Sequence, residues 1–151
     1  MTKYIVWKTP SGIASFTEHR DELTISIDEH IQLCLNNGNH KGFVFLCVVD
    51  SVPSDRMFRE AWEDDGKGIV VNMPKARSIH LDRLREKRKG ILAKLDVEWG
   101  RAMAKNNKTL ADTIEAKRQK LRDMPQAVES DLDAANTPDE LKLIVPKELR
   151  E

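Results

Sequence analysis

The sequence predicts an α+β fold: a small, mainly antiparallel sheet with one or two helices, followed by a long antiparallel helical hairpin. Three observations predict it. Runs of β-forming residues with turn chemistry between them are confined to the first half of the chain, while beyond Met73 apolar residues recur at spacings of four and three on either side of one interruption. Charge also divides by region. Residues 1–73 hold 7 basic and 11 acidic residues, residues 74–122 hold 15 and 6, and residues 123–151 hold 3 and 8, so a net charge of zero hides a basic block between two acidic ones. Three segments follow: an α/β head over 1–73, a helical hairpin over 74–123, and an acidic tail over 124–151 carrying a short docked helix.

In the head, "KYIVWKT", "PSG" and "IASFTE" read as a β-hairpin over residues 3–17. The period then changes. Ile27, Ile31 and Leu35 recur every four residues, Ser26 and Glu29 have capping-box spacing, and Asn37-Gly38 supplies a stop, so a short amphipathic helix is expected. "GFVFLCVVD", residues 42–50, reads as a central strand at the heart of the head's core. Pro53 and Ser54 then look like a helix start, with Phe58 and Trp62 four apart, before a turn at Asp65-Gly66 and a last strand, "IVVN".

From Met73 one helix of about thirty residues, roughly 45 Å long, is expected. Its stripe is Leu84, the stem of Arg88, Ile91, Leu92, Leu95, Trp99 and Met103, narrow enough to be a seam for one partner helix. "KNNK" interrupts it. Thr109 is the expected cap of a second helix with Leu110, Ile114, the stem of Lys117 and Leu121 on one face, folding back on residues 88–103 and halted by Pro125. In this register Trp99 lies near Leu110 and is buried without any partner. In the tail, "TPDEL" has helix-start signals, and Leu141, Leu143, Ile144 and Val145 are apolar enough to dock.

The residues offer no catalytic constellation, and no cofactor is expected. Four histidines lack the i, i+4 spacing of metal ligands, "GNHKG" lacks the Lys-Ser/Thr of a phosphate loop, and Glu63, Asp64 and Asp65 read as a solvated turn. Cys34 and Cys47 sit in apolar stretches and read as buried thiols. No apolar run is long enough to span a membrane. "RLREKRKG" is the best nucleic-acid candidate, but its cations point around the whole helix and no aromatic side chain is interleaved for stacking, so a solvated helix face is the preferred reading.

"LREKRKGILAKLD" (84–96) followed by "IEAKRQKLRDMPQ" (114–126) resembles the C-terminal hairpin of bacteriophage tail fibre assembly proteins, the tail assembly chaperones. Arg88, Ile91, Leu92 and Asp96 match that family's first arm, and Arg118, Gln119, Leu121, Arg122, Asp123, Met124 and Pro125 match the end of its second. Val97, Ile114 and Lys117 stand where the family carries aromatic residues. The resemblance implies a non-enzymatic phage tail protein in the host cytoplasm during assembly, binding a tail fibre or another tail component. Ile91, Leu95, Trp99, Ile114 and Leu121 would then be seam or client contacts, and Arg85, Arg88, Arg118 and Arg122 rim charges. Two alternatives stand beside it: a permanent component of the tail, baseplate or fibre attachment retained in the virion, and a nucleic-acid-binding or regulatory module using the basic block. A second copy of the chain is a further candidate partner for the seam.

Overall fold

A computed structural model describes residues 1–150, and the chain divides between Asn72 and Met73 into two units. The fold is α+β. The first unit is built around β1 (Lys3–Lys8), which pairs antiparallel with β2 (Ala14–His19) on one side and with β3 (Val44–Val49) on the other. Ile5, Val6 and Trp7 are wholly buried, because β1 is covered on both faces. Ile5 and Trp7 meet Ile31 and Cys34 of α1 (Ile27–Asn36), and Val6 meets Ala14, Trp62 and Ile69 on the opposite face. The ends of α1 are as expected: Ser26 and Glu29 form a reciprocal capping box, and Asn37 closes the helix before Gly38 at φ +75°.

Two expectations for this unit are corrected. The apolar run 44–49 is an edge strand and the centre of the sheet is β1, leaving Val44, Phe45 and Val48 exposed. Run length misleads here, because the shorter apolar run Ile5-Val6-Trp7 is the one that α1 and the second sheet cover on its two faces. Residues 53–62 do not form the helix their start signals suggest. Only a 3₁₀ turn, Arg59–Ala61, forms, and Trp62 opens β4 (Trp62–Asp64), which pairs with β5 (Ile69–Val71) around the Asp65-Gly66 turn. Tertiary pairing overrides the local signal: Trp62 stacks on Phe16 at 6.0 Å between centroids, and the Asn72 amide donates to the Ala61 carbonyl at 2.8 Å.

Three of the four dispersed histidines, His19, His30 and His40, come near one another in the first unit. Trp7 Nε1 donates to Thr17 Oγ1 at 2.9 Å, His40 Nε2 lies 3.2 Å from the same hydroxyl, and His19 Nδ1 faces His30 Nδ1 at 2.9 Å. Two imidazoles can share that bond only if one Nδ1 is unprotonated. Desolvation, then the nearby His19 and His40, hold the His30 pKa below its ordinary value. A depressed histidine pKa means that the unfolded chain takes up the proton first, so stability is complete above about pH 6.5 and is lost as pH falls below it. Melting of the protein at pH 7.5 and pH 5 is therefore expected to show a lower midpoint for the first unit at pH 5, with a smaller loss in His30→Gln; an equal loss in both would show that His30 is not responsible. Among the described residues no group of three or more His, Cys, Asp or Glu side chains is placed to hold a metal ion. Both cysteines are free, and burial raises their thiol pKa values.

The second unit begins with α2 (Met73–Ala104), 32 residues long, and α3 (Lys108–Ala127) returns antiparallel to it. The turn between them explains "KNNK". Asn106 takes the left-handed conformation at φ 54°, the Asn107 and Asn106 amides donate to the Ala102 and Met103 carbonyls at 2.9 and 3.0 Å, and the result is a Schellman closure. Asn107 then accepts from the Leu110 amide at 3.1 Å, so the cap is Asn107 and not Thr109.

Pro125 does not stop α3, which continues two residues beyond it. A proline there leaves the Leu121 carbonyl without its intrahelical donor and pushes that carbonyl outward. Arg88 supplies the replacement: its Nη1 lies 3.5 Å from the Leu121 carbonyl oxygen and 3.4 Å from that of Arg122.

The tail packs on the same unit. It forms α4 (Glu129–Ala134), α5 (Pro138–Lys142) and a 3₁₀ turn (Lys147–Leu149), all of which contact α2. Arg77 Nη2 donates to the Ala135 carbonyl at 2.7 Å, and His80 Nε2 to that of Ile144 at 2.8 Å. Ala76, His80 and Leu84, one turn apart along α2, are buried. The hairpin over 74–123 and the tail over 124–151, expected as separate segments, thus belong to one unit. Among the described residues no helix is long and apolar enough to cross a membrane.

Candidate partner-binding surface

The facing surfaces of α2 and α3 bury Ile114 and Leu121 as expected, but beside the turn they close on Ala102 and Ala111 in place of Met103 and Leu110. Ala102, Ala111 and Ile114 form the buried cluster near the turn, with Leu95 and Trp99 packed against it. Small residues at this crossing let the backbones approach. Leu110 and Met103 therefore face outward, at 47 % and 48 % exposure, and Trp99 is half-buried beside Ala111 and Ile114 instead of against Leu110.

Arg118 turns inward where Lys117 was expected. Its side chain is only 15 % exposed, its Nε lies 2.8 Å from Asp96 Oδ1, its Nη1 also pairs with Glu115, and its guanidinium carbon sits 5.1 Å from the centroid of the Trp99 ring. Cation–π contact and a two-carboxylate bridge together fix a charged residue inside an otherwise apolar seam. Arg122 Nη1 adds a bond to Glu115 Oε1 at 2.7 Å, and this bond, with the neighbouring guanidinium charges, holds the Glu115 carboxyl below the usual range. Arg118 is thus a seam residue and not a rim charge. Arg88, half-buried and engaged with the α3 backbone, is likewise not at the rim. Arg85 and Arg122 are exposed, and Arg85 pairs with Asp82 at 3.1 Å.

The candidate residues fall into two groups. Trp99, Ile114 and Arg118 belong to the cluster just described, and Trp99 also lines an open hollow of about 450 Å³ with Met103, Lys108, Asp112 and Glu115. Ile91, Leu95 and Leu121 form the floor of a second cleft, of about 290 Å³, whose walls are Lys117, Lys120, Lys147 and Glu148. Its floor is aliphatic and its rim carries three ammonium groups against one carboxylate. This volume lies just below the range for small-molecule sites, about 300–1,000 Å³.

Sequence reasoning missed Lys120, Lys147 and Glu148 as neighbours of the seam. The last two lie well over twenty positions beyond Leu121 and reach the cleft only because Leu149, wholly buried, anchors the final turn. An isolated leucine after "VPKE" was the available signal. Comparison of the chain with protein-family models, with curated proteins and with solved structures finds no match.

Proposed function

We propose that the chain is a non-enzymatic phage tail protein, an assembly chaperone that binds a tail fibre or another tail component through its helical unit. The resemblance of residues 84–126 to tail fibre assembly proteins supplies the biological class. The observation that carries the binding role is the open cleft over Ile91, Leu95 and Leu121, because its aliphatic floor belongs to that stretch and Ile91 and Leu95 are only partly buried there.

The reading is tested in the phage or prophage that encodes the chain. Removing the gene is expected to give particles without fibres, with the protein absent from purified wild-type particles by mass spectrometry. Complementation with Leu95→Asp, shown by circular dichroism to be folded, should leave fibre-bearing particles reduced at least about tenfold, as loss of a central apolar anchor implies. Fibre-complete particles without the gene would sink the proposal. Protein retained at fixed copy number in the particle would instead make it a permanent virion component.

A further inference from the structure

Three arginines of the unit and the lysines around the cleft differ in how their charge is met. Arg85, Arg118 and Arg122 each have a carboxylate of their own chain within ion-pair distance. Among the described residues, Lys117, Lys120 and Lys147 have none, although all three border the same aliphatic floor. Paired charges are spent within the fold. Unpaired ones around an apolar floor create a positive field over a surface that water wets poorly.

Resting on the reading of the helical unit as a partner-binding body, we propose that this cleft takes an acidic amphipathic segment of the partner protein, with an aliphatic side chain on the floor and flanking carboxylates at the lysines. Each part of that description has a cause. About 290 Å³ holds one or two aliphatic side chains and leaves the rest of a segment outside, within reach of the rim. Ile91 and Leu95 are one helical turn apart, which matches apolar side chains at i and i+4 of a docked helix. Nucleic acid fits less well, because the floor offers no aromatic face for a base and Glu148 stands among the cations.

The test is selection of displayed random dodecapeptides on the full chain, with counter-selection on the Leu95→Asp variant. Peptides retained only by the wild type should carry Asp or Glu around Leu, Ile or Met at helical spacing. Their affinity should fall at least about tenfold when Lys117, Lys120 and Lys147 are all changed to Glu, and should weaken from low to physiological salt. Retained peptides that are basic or uncharged, enrichment no better than on Leu95→Asp, indifference to the triple charge reversal, or displacement of bound peptides by duplex DNA at equal strength would each overturn the proposal. The outcomes separate from those of the assembly experiment. Fibre assembly that still requires the chain after the selection fails would leave the assembly role and remove this chemistry; acidic peptides captured by a chain that fibres do not need would do the reverse.

Discussion

Leu141→Ala is expected to destabilise the helical unit by about 2–5 kcal/mol, the usual loss for truncating an enclosed leucine when the surroundings only partly collapse. Leu141 is 0 % exposed. It sits in a five-residue helix that cannot be stable by itself, since nucleation alone outweighs so few hydrogen bonds. Its cap is well formed: Thr137 accepts from the Glu140 amide at 3.2 Å, and Glu140 accepts from the Asn136 amide at 2.7 Å. A cap, however, is worth only about 1 kcal/mol, so the docking of Leu141 decides whether α5 exists. Leu143, two positions on and 80 % exposed, is the control, and Leu143→Ala should change little. Urea unfolding followed by far-UV circular dichroism measures both. If the two variants share a midpoint, the tail is not docked through Leu141. Amide exchange should report the same event, with protection from residue 129 to 149 lost together in Leu141→Ala, because α4, α5 and the last turn all pack on α2.

Elements whose cause is local were legible in the sequence. The capping box at Ser26 and Glu29, the turn at Asp65-Gly66 and the uninterrupted run after Met73 each carry their whole signal within a few residues, and each forms as read. What failed depends on a distant partner. Residues 53–62 carry a helix start, yet Trp62 is taken by the strand opposite Val71 and by the ring of Phe16. The seam failed more narrowly. Counting large apolar residues and the Lys117 stem placed Ile114 and Leu121 inside, as they are, but also Met103, Leu110 and Lys117, whose places are taken by Ala102, Ala111 and Arg118, each one residue away and so about 100° around its helix. Alanine is too small to mark a stripe, and an arginine that brings two carboxylates and a tryptophan ring with it looks, in sequence, like any solvated charge. For the same reason the candidate surface was only half legible: Ile91, Leu95 and Leu121 could be named, but the lysines that give the cleft its sign come partly from a tail whose docking no local pattern specifies.

Arg88 offers the sharpest test of the second arm, because its role is defined by another residue. If its guanidinium stands in for the amide that Pro125 lacks, Arg88→Met, which keeps the aliphatic stem, should cost about 1–2 kcal/mol by leaving the Leu121 carbonyl without a donor. Pro125→Ala restores that donor, since an alanine amide at 125 can reach the Leu121 carbonyl by the ordinary i to i−4 bond. It should stabilise the unit by up to about 3 kcal/mol, the cost of a proline inside a helix. The decisive quantity is the double variant. With Ala at 125 the Leu121 carbonyl no longer needs Arg88, so Arg88→Met should then cost less than about 0.5 kcal/mol, and a coupling of about 1 kcal/mol should stand clear of ordinary additivity error. Additive effects within that error would mean that Arg88 holds α3 through its stem alone. In that case its charge would return to the surface residues available to a partner, and Arg88→Met would be expected to weaken partner binding while leaving the urea midpoint in place.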